Sequence, residues 1–226
     1  MFADDIALVR ELAAKHGPLP TPVVECGGLI APTIADYQKT IDAMADLGKP
    51  WRPLFDADAE AYIAKVREAQ MCRYLDIERP LSFLGEYTIE NPETGGVPIE
   101  KLADKYGPTI GTAILLSVLE HVANPFAAVA ALAEAMKPGG IAIVSTPWVF
   151  PEHDSTPDGG RDWWRFNVGA LRELFGDAET WEVLDAGPRL DIPADAGVLQ
   201  MTNTPEGMRI GPPQAIRSTY ICARAL

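Results

Sequence analysis

The middle of the sequence constrains the fold more than any other part. Residues 112–117 form a short apolar run that predicts a buried strand. Residues 125–136 predict a helix, because Asn124 is a favoured N-cap and the proline after it suits the first helical position. A Lys-Pro-Gly-Gly turn at 137–140 ends this helix, and the apolar residues 141–145 predict a second strand. This order is typical of a parallel sheet covered by helices.

The same alternation of helices and strands extends along the rest of the chain. Helices are predicted at residues 4–15, 34–47, 57–70 and 168–175, and strands at residues 22–26, 73–77, 180–185 and 218–224. Residues 79–111 are rich in proline and glycine and receive no assignment. We therefore predict a single domain over residues 1–226, with an N-terminal helix at 4–15 and a helical insertion at about 34–70.

Composition excludes several classes of protein. The net charge of −13, from 32 acidic and 19 basic residues, opposes binding to a phosphate backbone, so we expect no nucleic-acid partner. The three cysteines form no CxxC pair, which predicts no metal site and fits a reducing cytoplasm. The first residues are acidic where a signal peptide is basic, and no apolar run approaches the roughly 18 residues of a membrane span.

Two motifs resemble those of a known family. Residues 115–147 read LLSVLEHVANPFAAVAALAEAMKPGGIAIVSTP. This segment resembles the fourth strand, LEH turn, crossing helix, KPGG turn and fifth strand of class I S-adenosylmethionine-dependent methyltransferases. His153 and the run DWWRF at 162–166 resemble the H…DYWRF element of a methyltransferase type 11-like subgroup. The resemblance implies a doubly wound, Rossmann-like, mostly parallel sheet with helices on both faces, an antiparallel last strand, and S-adenosylmethionine as cofactor.

The glycine-rich turn of this family follows the first strand. Here that turn corresponds to Glu25, Gly27 and Gly28, and the resemblance implies that these residues contact the cofactor. The turn is degenerate, since Gly28 is shifted by one position and the bulky Leu29 and Ile30 stand near the place of the last glycine. The alternative is that the two glycines only turn the chain after a strand.

An acid at the end of the second strand binds the ribose hydroxyls in such folds. Asp76 fits the local pattern, with Asp56 as a rival that equally suits a helix N-cap. We favour Asp76, because Glu100 then falls where the family has its adenine-side acid. By the same resemblance, Ser117 and Val118 border the methionine part of the cofactor.

Two histidines are candidate catalytic residues. His121 follows the predicted fourth strand, and an imidazole with a pKa of about 6.5 is able to accept a proton from a hydroxyl or amine substrate. His153 lies on a predicted loop between two acids, which would raise its pKa. The alternatives are that His121 orients its turn and that His153 is a solvated loop residue. We expect the tryptophans and charges of residues 162–165 to pack as a lid over the site.

The leading hypothesis is a methyltransferase acting on a small molecule or a carrier-bound group, for instance in a specialised-metabolite pathway. A second hypothesis is a protein of this fold that no longer methylates, and runs another reaction in the same cleft or serves as the partner of a related subunit. A third is a binding module that keeps the cofactor. The sequence leaves open a monomer, a homodimer or a pairing with a related subunit.

Overall fold

The computed structural model describes residues 3–27, 81–92, 95–148, 161–190, 201–204, 207–210 and 216–226. The helices are α1 (Ala3–His16), α2 (Leu102–Tyr106), α3 (Pro125–Ala135) and α4 (Val168–Leu174). The strands are β1 (Val23–Cys26), β2 (Tyr87–Glu90), β3 (Ile110–Leu116), β4 (Met136–Pro147), β5 (Trp181–Leu190), β6 (Met201–Thr204), β7 (Gly207–Ile210) and β8 (Ile216–Ala225). Single 3-10 turns lie at Ser82–Leu84, Ile99–Lys101 and Leu119–His121.

Six of the strands form one sheet in the order β2-β1-β3-β4-β8-β5. Strand β1 pairs in parallel with β2 on one side and β3 on the other, and β3 pairs in parallel with β4. Strand β8 is antiparallel to both β4 and β5. The predicted doubly wound, mostly parallel sheet with an antiparallel last strand is therefore confirmed. After β1 the chain forms β2 on one side of β1 and then returns to form β3 on the other side. The topological switch point therefore lies between β1 and β3.

Helices cover both faces of this sheet. On one face α2, α3 and α4 contribute apolar side chains such as Leu102, Leu132 and Leu171 to a core cluster. On the other face α1 packs through Leu8, Val9 and Leu12. All seven residues of β3 are buried, because both of its sides are covered. Burial on both faces is the reason that β3 appears in the sequence as an unbroken apolar run.

The central helix and its neighbours match the sequence closely. Asn124 caps α3, since its side-chain oxygen accepts a hydrogen bond from the Ala127 N–H at 3.1 Å. Strand β4 begins earlier than predicted, because Met136 pairs with Ile110 ahead of the Lys-Pro-Gly-Gly turn, where Gly139 has a φ of +78°. The turn was expected to separate helix from strand, but it lies inside the pairing of β3 with β4.

Some predictions fall outside the described residues. The helices at 34–47 and 57–70 and the strand at 73–77 belong to this group, and the insertion at 34–70 stays a prediction. Strand β2 lies in the region that received no assignment, and the small antiparallel sheet of β6 and β7 was likewise not predicted. Within the described ranges, none of the helices has the length and apolar character needed to cross a bilayer.

Candidate functional site

The ends of β1 and β3 meet at the switch point. Gly27 follows β1 with a φ of +72°, and a Cβ atom built on it would lie 2.6 Å from Cγ2 of Val118, which follows β3. The Gly27 N–H also donates a hydrogen bond to the Glu90 carbonyl oxygen at 2.7 Å. The two turns singled out in the sequence therefore lie side by side at the carboxyl edge of the sheet. Ligands of doubly wound sheets bind at this position.

Ser117 has an unusual backbone at the same edge. Its φ of 59° lies in the left-handed region, and its N–H donates to the Ser145 carbonyl oxygen at 2.8 Å. A side chain in this region costs about 1–2 kcal/mol relative to the right-handed conformation. Such strain concentrates at functional sites, where the surrounding structure holds the residue in place. Ser117 and Gly27 thus place two left-handed residues on neighbouring strand ends.

Glu25 lies below this edge rather than on it. It is the third residue of β1, paired with Ile89 and Ile114, and only 1% of its surface is exposed. Burial raises the pKa of the neighbouring Cys26 thiol, and the charges of Glu25 and Glu90 raise it further. Cys26 therefore stays a neutral thiol. Because Glu25 lies below the edge, a ligand at the edge would reach Gly27 before it reached the Glu25 carboxylate.

Glu90 is a residue that the sequence reasoning missed. It ends β2, the strand beside β1, where an acid for the ribose was expected, whereas Asp76 and Asp56 lie outside the described residues. The sequence signal for β2 is brief. It consists of alternating Tyr87 and Ile89, with β-branched Thr88 between them. We find no other local feature that marks Glu90 as an acid at a strand end.

Donors from the following segment occupy the Glu90 carboxylate. Oε2 accepts from the Val97 N–H at 2.9 Å, and Oε1 accepts from Lys105 Nζ at 2.6 Å and from the Tyr106 hydroxyl. Burial alone raises the pKa of Glu90, but the hydrogen bonds from Lys105, Tyr106 and Val97 outweigh it and hold the pKa below its usual range. Glu90 is therefore an ionised anchor for residues 95–106. Glu100 lies in this segment, exposed on the turn before α2.

The two motifs that resemble the methyltransferase family contact each other. The N–H groups of Trp163 and Trp164 donate to the Glu120 carbonyl oxygen at 2.7 and 3.3 Å. The Trp164 indole N–H donates to the Val122 carbonyl oxygen at 2.9 Å. At the far end of the loop, Thr219 Oγ1 donates to the Phe166 carbonyl oxygen at 2.5 Å. The 161–166 loop is thus fixed both to the turn after β3 and to β8.

His121 takes part in the same attachment. Its Nδ1 lies 3.2 Å from the Arg161 carbonyl oxygen, and its Nε2 lies 3.9 Å from Glu120 Oε1. A carbonyl oxygen only accepts, so Nδ1 carries the hydrogen and Nε2 is the basic nitrogen of the neutral ring. The His121 side chain is 15% exposed. His153, the second candidate base, lies outside the described residues.

The expected lid is packed only in part. Asp162 is fully buried and forms a bidentate ion pair with Arg165, whereas Trp163 and Trp164 are 49% and 42% exposed. Arg161 lies over the Trp163 ring, 5.6 Å from its centroid. The loop is therefore buried through the Asp162 side chain and Phe166, while both indoles stay about half exposed.

Several solved structures of other proteins are similar to this chain in fold. A putative methyltransferase from Bacillus halodurans C-125 is 11% identical with a TM-score of 0.49, over 98% of this chain and 99% of that one. A 1,6-didemethyltoxoflavin-N1-methyltransferase from Burkholderia thailandensis, with 1,6-didemethyltoxoflavin and S-adenosylhomocysteine bound, is 14% identical with a TM-score of 0.45, over 99% and 77%. No protein-family model matches the chain, and no curated protein sequence matches it. The fold is established by the strand order of the chain itself.

The backbone at the switch point fits a cofactor of the adenosyl type. Gly27 presents no Cβ atom just after β1, and the left-handed Ser117 lies next to it, just after β3. Two features limit the room for such a cofactor. Val118 fills the space beside Gly27, and the Glu90 carboxylate already accepts three hydrogen bonds. A carboxylate has about four acceptor sites, of which these donors leave at most one, and Glu90 is only 1% exposed.

Proposed function

We propose that the chain is an S-adenosylmethionine-dependent methyltransferase that acts on a small molecule or a carrier-bound group. One observation supports this most strongly, namely that the turn after β1, with the left-handed Gly27, and the turn after β3, with the left-handed Ser117, lie side by side at the switch point. An acidic surface with a net charge of −13 further favours a substrate without a phosphate backbone.

Residues of both turns would hold the cofactor. Gly27, Ser117 and Val118 would border its methionine part, with Glu25 beneath them. Gly28 and Asp76, which lie outside the described residues, and the exposed Glu100 complete the proposed set. The bound cofactor supplies an electrophilic methyl group on a sulfonium. The chain itself has to orient the nucleophile and remove its proton.

His121 is the proposed proton acceptor among the described residues. Its Nδ1–H donates to the Arg161 carbonyl oxygen, so Nε2 is the ring nitrogen that would receive the proton. His153 is the second proposed base. His121 also links the turn after β3 to the 161–166 loop, so an alanine substitution alone would not separate a chemical from a structural role.

Calorimetry with S-adenosylmethionine and S-adenosylhomocysteine tests the proposed cofactor. We expect micromolar dissociation constants for both ligands and no binding of NAD, which occupies the switch point of other doubly wound sheets. Failure of both adenosyl ligands to bind at millimolar concentration, in a sample with a cooperative unfolding transition, would contradict the proposal.

The role of His121 requires a matched pair of variants. His121→Asn keeps a side-chain N–H that is able to donate to the Arg161 carbonyl oxygen but removes the basic nitrogen, whereas His121→Ala removes both. The readout is release of S-adenosylhomocysteine with a panel of small phenols, amines and thiols. If His121 is the base, both variants lose turnover by about 10²–10⁴-fold. Turnover retained in His121→Asn and lost in His121→Ala assigns a structural role.

A second candidate function is a protein of this fold that no longer methylates. The filled space between Gly27 and Val118 and the three internal donors on Glu90 favour it. The same calorimetry separates the two candidates, because this one predicts a folded protein without affinity for either adenosyl ligand.

A further inference from the structure

Glu120 has an unusual environment for an acid. It lies in the middle of the turn Leu119–His121, and its side chain is 0% exposed. Neither carboxyl oxygen has a hydrogen-bond partner within the described part of the chain. Its main-chain carbonyl oxygen, by contrast, accepts from the N–H groups of Trp163 and Trp164. The backbone of Glu120 is therefore fixed by the 161–166 loop, and its carboxyl is enclosed.

Two other acids with buried side chains act on Glu120 through their charges. Asp5, in the first turn of α1, is 3% exposed and accepts from Ser145 Oγ at 2.9 Å. Asp162, on the 161–166 loop, is paired with Arg165, whose charge is thereby compensated. On the turn itself, His121 Nε2 lies 3.9 Å from Glu120 Oε1. Glu120 thus has two acids close enough to act on it electrostatically, one on α1 and one on the 161–166 loop.

These surroundings favour the protonated carboxyl. The pKa of Glu120 is raised to about 8, chiefly by burial and in smaller part by the charges of Asp162 and Asp5. The backbone N–H of Glu120 itself and the positive charge of the chain's amino terminus lower the pKa of the carboxyl, and both are outweighed. Near neutral pH the group is therefore mainly uncharged.

We propose that Glu120 is a positioning residue that works in its neutral form, allowing the first turn of α1 and the 161–166 loop to close on the turn Leu119–His121. Loss of the Glu120 proton places a third negative charge beside Asp5 and Asp162 and loosens this contact. His121 and the strand end at Ser117 then lose their fixed position. The effect on cofactor affinity rests on the proposed function, whereas the effect on the loop does not.

The backbone amides of Trp163 and Trp164 report the contact directly, because both donate to Glu120. We expect their hydrogen exchange, corrected for the intrinsic pH dependence, to accelerate by up to about tenfold between pH 7 and pH 9, because linkage with a folded pKa of about 8 limits the effect. Glu120→Gln keeps the shape of the side chain without the charge and should show no acceleration. Glu134→Gln, which removes an exposed acid from α3, is the matched control and should behave like the parent protein.

Unfolding equilibria give a second readout. The pKa of Glu120 is higher in the folded state than its ordinary value of 4.5, so the unfolded chain loses the proton first as the pH rises. The unfolding equilibrium constant should therefore rise by up to tenfold per pH unit between about pH 5 and 8, relative to Glu120→Gln, and the difference should level off above pH 8. Equal pH profiles of the two proteins would overturn the proposal.

If Glu120→Gln does not fold, Asp5→Asn provides a second test of the proposal. It removes one of the two negative charges that raise the pKa of Glu120, so the onset of fast exchange should move to lower pH; an unchanged onset contradicts the proposal. Binding of S-adenosylmethionine is measured separately, and affinity should fall above pH 8 in the parent but not in Glu120→Gln. Absence of any binding would refute the proposed function and leave the exchange result to decide the role of Glu120.

Discussion

Replacement of Gly27 by alanine tests the geometry at the switch point. Two effects add. A residue with a Cβ atom at a φ of +72° costs about 1–2 kcal/mol, and the Cβ would meet Cγ2 of Val118 at 2.6 Å, an overpacking that costs about 1–3 kcal/mol. The free energy of unfolding should fall by about 2–5 kcal/mol. For a chain of this length each kcal/mol lowers Tm by about 2–4 °C, so Tm should fall by about 4–20 °C.

The chain provides a matched control at Gly139. Its φ is +78°, close to that of Gly27, and a Cβ atom there would have nothing within 4 Å. Gly139→Ala therefore measures the backbone effect without the clash. A double-mutant cycle with Val118→Ala isolates the clash itself, because the smaller side chain leaves room for the new methyl group. Urea unfolding monitored by circular dichroism supplies all the free energies.

The cycle has a clear expected result. Gly27→Ala should be about 1–3 kcal/mol less destabilising in the Val118→Ala background than in the parent. Equal effects in both backgrounds would show that the two turns do not touch. Cofactor binding by the double variant gives further information. If the double variant regains both stability and cofactor binding, Gly27 is needed only to make room for Val118. If it regains stability but still does not bind the cofactor, Gly27 is needed to make room for the cofactor itself.

Three further substitutions test other parts of the structure. Asn124→Ala should lower the free energy of unfolding by about 1 kcal/mol in urea titrations, through loss of the cap on Ala127. Ser117→Gly should raise it by about 1 kcal/mol by relieving the left-handed backbone, and an unchanged or lower value speaks against strain there. Tyr106→Phe should lower it by about 1.5–3 kcal/mol, since a hydrogen bond to the charged Glu90 is lost. The pKa of Glu90 lies below its ordinary value of 4.5 in the folded state, so its stabilisation is fully present above that pH and disappears as the pH falls through the folded pKa. The loss measured for Tyr106→Phe should therefore shrink in strong acid.

The central part of the fold was predictable because its signals are local. The apolar run of β3 reflects burial on both faces, and the Asn124 cap and the proline after it mark the start of α3 within two residues. These features act through nearest neighbours in the chain. The parallel pairing expected of the two strands in this segment is confirmed, since β3 and β4 are parallel neighbours.

Strand β2 and the role of Glu90 were not predictable in this way. A four-residue strand in a proline- and glycine-rich region depends on pairing with β1, which is distant in sequence. The donors that occupy Glu90 come from Val97, Lys105 and Tyr106. Their convergence depends on how residues 95–106 fold back, and spacing along the chain does not report it. The position of an acid at a strand end was foreseeable, but its identity was not.

The attachment of the 161–166 loop through main-chain N–H groups leaves the identity of its outward side chains open. Every amino acid except proline has such a donor, so position 163 is able to accept many residue types while the loop keeps its place. The half-exposed indole of Trp163 is therefore replaceable without loss of the main-chain hydrogen bond that holds the loop. Proline at the same position would remove the anchor itself.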